Sequence, residues 1–151
     1  MSAALPLTSS AAVRVTLAGV GDMRLDGPVA AVASSSAAPA PIAAIREDLR
    51  ADILFGNLET PVTTRGTKTP KTWNFRAHPS LLAIVKAADF DVLNLANNHV
   101  WDYGREGFLD TLKNLEQGPW TLIGAGHDLE EAERVRVVER GGLKVGFVGL
   151  T

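Results

Sequence analysis

The sequence contains no cysteine among its 151 residues. Disulfides and thiolate metal ligands are therefore excluded, and any metal ion has to be bound by carboxylate, amide or imidazole groups. An excess of one charge is also lacking, because the formal net charge is −2, and such a chain has no overall attraction to nucleic acid or to an anionic membrane. No apolar run approaches the roughly 18 to 20 residues of a membrane span, so the sequence predicts no transmembrane segment.

The residues that are present give the composition of an ordinary globular domain. Hydrophobic residues make up 46% and charged residues 21% of the chain, which is typical of a soluble protein with one core. Residues 1–12 are small and polar, and they lack the basic region and the long apolar region of a signal peptide. They are predicted to be the flexible N-terminus of a cytoplasmic protein, whereas a truncated start would leave membrane association or export open.

Apolar segments of strand type alternate along the chain with segments of helical spacing. In order, the sequence predicts a strand at 13–20, a helix at 42–50, a strand at 53–56, a helix at 79–88, a strand at 91–96, a helix at 107–117 and a strand at 120–123. Residues 33–41 are low in complexity and are predicted to form a surface loop. The apolar segments 135–138 and 145–148 flank Gly141 and Gly142, which is typical of a hairpin. The pattern predicts an α/β fold with a layered, mainly parallel β-sheet flanked by helices and a β-hairpin near the C-terminus.

Polar residues follow the first three predicted strands. They are Asp22 after the first strand, Asn57 and Glu59 after the second, and Asn97, Asn98, His99 and Asp102 after the third. Ligands of open α/β sheets bind at the carboxyl ends of the strands, so these side chains are expected to share one edge. Each of the first two strand ends is ordinary turn chemistry by itself. Their coincidence with two amides and an imidazole favours a site for a hard or borderline divalent ion.

Two further features suggest other functions. The stretch 60–77 contains several basic residues and no acidic one, which suits either a solvated loop or a surface that binds a polyanion. Its basic residues are Arg65, Lys68, Lys71 and Arg76. G-x-G pairs end the first and fourth predicted strands, but Arg24 and Leu129 stand where a dinucleotide-binding loop has its third glycine. The glycine pattern therefore favours tight turns over nucleotide binding.

One segment carries a resemblance to a known family. Residues 95–107, with the sequence LANNHVWDYGREG, resemble the ANNH-x-x-D-x-G-x-x-G segment of CapA-type capsule-synthesis proteins, which take part in poly-γ-glutamate synthesis. The strand-end segments GD, GNLE and GAG and the late segment KVGFVGL fall in that family's order, so the resemblance covers about residues 13–151. The family is similar in fold to the calcineurin-like metallophosphoesterases, whose layered α/β sheet carries two metal ions at its edge.

This resemblance implies a metal-dependent hydrolase and gives a role to each strand-end residue. The implied metal ligands are Asp22, Glu59 and Asn98, the implied catalytic residues are His99 and Asp102, and the implied contacts to substrate or to the ligands are Asn57 and Asn97. The implied cofactor is a divalent metal, with two ions that could be Mn, Fe, Zn or Mg. The implied substrate is a phosphoester, an anionic polymer or a γ-glutamyl amide, and the implied partners are proteins of capsule synthesis rather than nucleic acid.

Two departures from the metallophosphoesterase pattern leave a second function open. Met23 and Arg24 follow Asp22, so the Asp-x-His motif of the first strand is absent, and Glu59 is longer than the expected bridging aspartate. A non-catalytic assembly or polyanion-binding subunit with the same fold is the alternative. Because the sequence stops at Thr151 directly after a hydrophobic strand, we expect residues 13–151 to be the N-terminal part of the domain and the fragment alone to be inactive.

Overall fold

The computed structural model describes residues 12–35 and 40–151, so the predicted flexible N-terminus lies outside the described residues except for Ala12. One sheet of four parallel strands organises the chain, in the order β1-β2-β3-β4. The strands are β1 (Leu17–Met23), β2 (Ile53–Leu58), β3 (Val92–Asn94) and β4 (Thr121–Ile123). None of the helices in the described ranges is long and apolar enough to cross a membrane.

Helices and a hairpin complete the layers around this sheet. The helices are α1 (Gly27–Ser35), α2 (Ala40–Ala43), α3 (Leu82–Ala88), α4 (Gly104–Leu115) and α5 (Leu129–Glu133), and a 3-10 turn at Pro79–Leu81 leads into α3. The antiparallel hairpin consists of β5 (Arg136–Arg140) and β6 (Leu143–Phe147). Its turn residues Gly141 and Gly142 both have positive φ angles, which glycine adopts without steric strain. The predicted α/β fold with a C-terminal hairpin is confirmed.

The sheet buries a different cluster on each face because successive side chains of a strand point to opposite sides. Leu54 of β2 lies in the larger cluster, which includes side chains of α3 and α4. Its neighbour Ile53 lies in the smaller cluster with Val138 of the hairpin. Phe55 continues the second face and stacks on Phe147, with ring centroids 6.2 Å apart. Covering both faces leaves the carboxyl edge of the strands as the place where polar side chains gather.

The predicted strand ends shift because polar residues take part in strand pairing. The first strand is β1 at Leu17–Met23 rather than 13–20, and Asp22 lies within it, opposite Asn57 and directly after a register shift. The second strand continues through Leu58, so Asn57 is a strand residue that pairs with Asn94 on its other side. Cross-strand contacts between polar side chains stabilise these positions, so the apolar pattern ended the first two strands too early. The third strand, predicted at 91–96, is shorter and covers Val92–Asn94.

The segment between β1 and β2 differs most from the prediction. The predicted helix at 42–50 is wrong beyond Ala43, since only α2 is helical and the next residues form turns. Ile45 remains 46% exposed, so no continuous apolar face supports a longer helix, and short helices without such support are marginal. The predicted loop at 33–41 begins inside α1 and ends inside α2, and residues 36–39 lie outside the described part.

Gly124 at the end of β4 provides a test of how tightly the strand ends pack. Its φ is +72°, and an added Cβ would lie 2.5 Å from the Ala96 Cβ and 2.9 Å from the Asn94 Oδ1. We expect Gly124→Ala to lower the free energy of unfolding by about 1–3 kcal/mol more than Gly142→Ala does, because overpacking adds to the backbone strain. Gly142 is the matched control, since its φ is +80° and nothing lies within 4 Å of its added Cβ. Urea denaturation measures both variants, and equal losses would contradict tight packing at this strand end.

Candidate functional site

A ladder of polar side chains crosses three neighbouring strands at the carboxyl edge of the sheet. The Asn57 Nδ2 donates a hydrogen bond of 2.7 Å to the Asp22 Oδ1, and the Asn94 Nδ2 donates one of 2.8 Å to the Asn57 Oδ1. Each amide therefore accepts on one side and donates on the other, which fixes both orientations. The strand register gives the same order, since Asp22 pairs with Asn57 and Asn57 pairs with Asn94.

Asn97 connects this ladder to the loop that follows β3. Its Nδ2 donates to the Leu58 carbonyl at 3.0 Å and to the Asn57 Oδ1 at 3.3 Å. Its Oδ1 accepts a hydrogen bond of 3.0 Å from the backbone N–H of His99. The Asn97 side chain is buried, and its hydrogen bonds hold the start of the loop so that His99 has a defined position.

His99 and Asp102 form a buried pair at the centre of the site. The His99 Nδ1 lies 2.7 Å from the Asp102 Oδ2, and Asp102 is 0% exposed whereas His99 is 6% exposed. An ionised carboxylate only accepts hydrogen bonds, so we assign the proton of neutral His99 to Nδ1 and the lone pair to Nε2. Nε2 lies 3.8 Å from the Glu59 Oε1, and it makes no hydrogen bond with the described residues. This nitrogen is therefore available to a substrate.

The segment 69–75 contacts Asp102 through several residues. The backbone N–H of Phe75 donates to the Asp102 Oδ2 at 2.6 Å, and Lys71 forms an ion pair with the Asp102 Oδ1. The Asp102 carbonyl accepts from the Thr69 N–H at 2.9 Å and from the Asn74 Nδ2 at 3.2 Å. The buried carboxylate thus has the Lys71 ammonium as its charged partner and the N–H groups of His99 and Phe75 as donors. A buried charge requires such partners.

Two side chains, Phe75 and Arg24, stack in succession over one face of the His99 ring. The Phe75 ring lies on the imidazole with centroids 3.9 Å apart and an angle of 19° between the planes. The Arg24 Cζ lies 3.7 Å from the centroid of the same Phe75 ring. The hydrogen bonds that Arg24 donates to Asp26 raise the pKa of Arg24, and the charges of Asp26 and Glu59 add to this while burial opposes it. Arg24 therefore places a fixed positive charge beside the aromatic stack.

The predicted site residues are connected with one exception. Asp22, Asn57 and Asn97 share the hydrogen-bonded ladder, whereas Glu59, His99 and Asp102 lie around the imidazole; the bond from the His99 N–H to Asn97 joins the two groups. Asn98 is exposed, and its side chain forms no hydrogen bond within the described ranges. Only its carbonyl takes part, accepting from the Lys71 Nζ at 2.8 Å.

The basic residues of the stretch 60–77 are exposed, and most of them also make local contacts. Arg65 pairs with Glu106 at 2.7 Å, and that hydrogen bond raises the pKa of Arg65. Arg76 lies over the Tyr103 ring, with its Cζ 4.4 Å from the centroid. Lys68, in contrast, has no ion pair or hydrogen bond within the described part of the chain. Arg65 and Lys71 therefore have carboxylate partners, whereas Arg76 and Lys68 have none within the described residues.

Several residues of the site were not predicted to belong to it. Asn94, Lys71, Phe75 and Arg24 each contact a predicted site residue or the stack that covers it. Asn94 had a signal that could have found it, since an amide within an apolar strand needs a polar partner. Lys71, Phe75 and Arg24 had none, because each reaches the site from a segment distant in sequence from His99.

Comparison with known proteins identifies a family whose model covers most of the chain. The model of the family described as bacterial capsule synthesis protein PGA_cap matches residues 16–151. The chain is similar to the capsule biosynthesis protein CapA of Bacillus anthracis, with 34% identity over 104 residues, which are 66% of this chain and 25% of that protein.

Two other relatives extend the match. The chain is 29% identical over 136 residues to the PGA biosynthesis protein CapA of Bacillus subtilis (strain 168), which covers 87% of this chain and 36% of that protein. It is 35% identical over 107 residues to a probable polyglutamine synthesis accessory protein of Mycobacterium tuberculosis, which covers 70% of this chain and 28% of that protein. The chain thus spans about a quarter to a third of the length of these relatives.

Proposed function

This chain belongs to the PGA_cap family of bacterial capsule synthesis proteins, and from that premise we propose that its strand-edge site is part of a metal-dependent hydrolase. The proposed substrate bond is a phosphoester or a γ-glutamyl amide, and His99 is the group that transfers the proton. The names of the relatives refer to capsule, PGA and polyglutamine synthesis. An anionic polymer is therefore a candidate substrate in this proposal.

The observation that supports this function best is the geometry of the His99 imidazole. A buried histidine with both nitrogens bonded inside the protein is usually structural. Here Nδ1 is bonded to Asp102, while Nε2 has no hydrogen-bond partner in the described residues and faces Glu59 at 3.8 Å. General acid–base catalysis needs one nitrogen held in place and the other presented to the reacting atom. The arrangement has both features.

The proton transfers of the proposed reaction follow from this geometry. Water adds to the phosphorus or to the carbonyl carbon and releases one proton to solvent, and the bond to the leaving oxygen or nitrogen breaks. His99, which has taken up a proton from solvent at Nε2, gives that proton to the leaving atom and returns to the neutral tautomer. Asp102 accepts the Nδ1–H throughout and keeps the ring oriented, and Phe75 excludes water from one face of the ring. Removing Nε2 is therefore expected to affect turnover rather than binding.

The metal implied by the resemblance fits the described residues only in part. Asp22 and Glu59 offer carboxylate oxygens and Asn98 offers an exposed amide, which suit a hard or borderline divalent ion. Yet no group of three or more His, Asp or Glu side chains able to hold an ion occurs in the described ranges. These residues would supply part of a coordination sphere, and a bound ion would polarise the attacking water or a substrate oxygen.

A calorimetric titration with Mn²⁺ or Zn²⁺ tests this partial fit on the 151-residue chain. We expect weak binding, with a dissociation constant of about 10⁻⁴ M or above, as in weak divalent-ion sites. Asp22→Asn is expected to weaken the binding further, whereas Asp128→Asn, on an exposed helix cap, is the matched control. Tight binding of two ions by the chain would contradict this expectation.

A polyanion-binding subunit is the second candidate, and the basic stretch is the feature that suggests it. This candidate is the weaker one because Arg65 and Lys71 are paired with carboxylates, which leaves Arg76 and Lys68 as the basic residues without a carboxylate partner in the described residues. Hydrolysis assays on the whole protein separate the two functions, using p-nitrophenyl phosphate and γ-glutamyl-p-nitroanilide with Mn²⁺ and then with a chelator. Metal-dependent release of nitrophenol or nitroaniline supports the hydrolase. Retention of poly-γ-glutamate without hydrolysis of either substrate would support the binding subunit.

A further inference from the structure

We propose that Lys71 is a positioning residue of this site, which holds the segment 69–75 against Asp102 and thereby keeps Phe75 stacked on His99. The inference rests on the proposed function only in taking His99 as the proton-transfer group. Nothing in the sequence distinguishes Lys71 from Lys68 on the same basic stretch. In the fold their contacts differ, because Lys71 binds Asp102 whereas Lys68 makes no ion pair or hydrogen bond within the described part of the chain.

The contacts of the Lys71 ammonium join three parts of the site. Its Nζ forms an ion pair with the Asp102 Oδ1, donates a hydrogen bond of 2.8 Å to the Asn98 carbonyl, and lies 3.3 Å from the His99 Nδ1. Because the Nδ1 proton points to Asp102, the contact with Nδ1 is not a hydrogen bond and only reflects close packing. The two real partners are the buried carboxylate and the loop that carries His99.

Asp102 needs Lys71 because one of its oxygens has no other partner. The Oδ2 accepts from His99 and from the Phe75 N–H. The Oδ1 is buried without a hydrogen bond of regular geometry within the described part and has the Lys71 ammonium as its ion-pair partner. A fully buried carboxylate without a compensating charge is strongly unfavourable. Lys71 therefore provides the ion-pair partner of the carboxylate that orients His99.

The segment that carries Lys71 has little apolar packing to hold it in place. Thr72 is exposed and Trp73 is 68% exposed, so burial of these side chains contributes little to docking. The segment is attached to Asp102 mainly through the Lys71 ion pair and the hydrogen bonds from Thr69, Asn74 and Phe75. Without Lys71, the segment is expected to open and Phe75 to leave the imidazole face.

Nuclear magnetic resonance on the labelled chain tests this role without any measurement of turnover. The chain has 3 histidines, so the ring signals of His99 are readily assigned, and the Phe75 ring shifts them upfield. In Lys71→Met we expect the His99 ring protons to lose most of that shift and the Phe75 amide to exchange with solvent about tenfold faster or more. Lys71→Arg is expected to restore both in part, because a guanidinium keeps the charge and the donors.

Lys68→Met is the matched control, since it removes the same charge from the same stretch and is expected to leave both readouts unchanged. If Lys71→Met does not fold, the comparison is made between Asp102→Asn and the double variant Lys71→Met/Asp102→Asn, in which the buried charge is gone. The proposal would be overturned if the His99 ring shifts and the Phe75 exchange rate of Lys71→Met equalled those of the parent. In the second comparison, the same holds if the double variant equalled Asp102→Asn. A different outcome is that Lys71→Met releases Phe75 from His99 while the whole protein hydrolyses neither the phosphoester nor the γ-glutamyl amide. That outcome would reject the proposed function and leave this inference standing.

Discussion

Replacing Asp102 by alanine is expected to lower the free energy of unfolding by about 3–5 kcal/mol, the loss typical of removing one partner from a buried ion pair. Asp102 is 0% exposed and bonds to His99, to Lys71 and to the Phe75 N–H. Its removal leaves a buried imidazole N–H and a half-buried backbone N–H without acceptors, and each unpaired buried group is unfavourable by about 1–3 kcal/mol. Urea denaturation with the slope of the transition unchanged measures the loss.

The control for this prediction is an ion pair of the same chain at the surface. Glu106 pairs with Arg65 at 2.7 Å, but their side chains are 57% and 62% exposed. Exposed pairs contribute about 0–1 kcal/mol because water and salt screen them, so Glu106→Ala is expected to change stability little. If both variants lost the same small amount, Asp102 would not be the centre that holds segment 69–75 and the His99 loop together.

The layers of the fold could be predicted from the sequence because apolar periodicity determines them. The helices α3 and α4 and the hairpin β5–β6 lie within a few residues of their predicted ranges, since each has a regular apolar face. The helices α1 and α5 have no buried residue, so periodicity gave no signal for them. Hydrogen bonds and caps rather than burial hold such short elements, and these depend on neighbours that an apolar pattern does not show.

The site was predictable only where it follows the strands in order. Asp22, Asn57 and Asn97 come from strand ends, and the parallel register brings them into one network. Lys71 and Phe75 reach His99 from a loop, and no periodicity indicates which side of a loop faces the site. Asn98 is the converse case. Its position next to His99 in the sequence suggested that it belongs to the site, but its side chain is exposed and lies outside the hydrogen-bond network of the described residues. Its proposed part in metal binding stays a prediction.

His99→Asn is expected to lower turnover of the whole protein by about 10²- to 10⁴-fold, the usual contribution of a general acid or base. The choice of asparagine matters because His99 is buried and bonded to Asp102. The Asn amide can donate in the place of Nδ1–H and keep the carboxylate paired, while the reactive Nε2 is lost. His78→Asn is the matched control, because His78 is exposed and caps the turn before α3, a position that asparagine fills equally well.

The most direct measurement of the central claim is the turnover number of these two variants and the parent in the whole protein. It is taken at equal metal content and equal folded fraction, with a phosphoester and a γ-glutamyl amide as substrates. The account predicts that His99→Asn loses about 10²- to 10⁴-fold on the substrate that the parent hydrolyses, with KM nearly unchanged, while His78→Asn matches the parent. Equal turnover of His99→Asn and the parent, or no hydrolysis of either substrate by the metal-loaded parent, would contradict it.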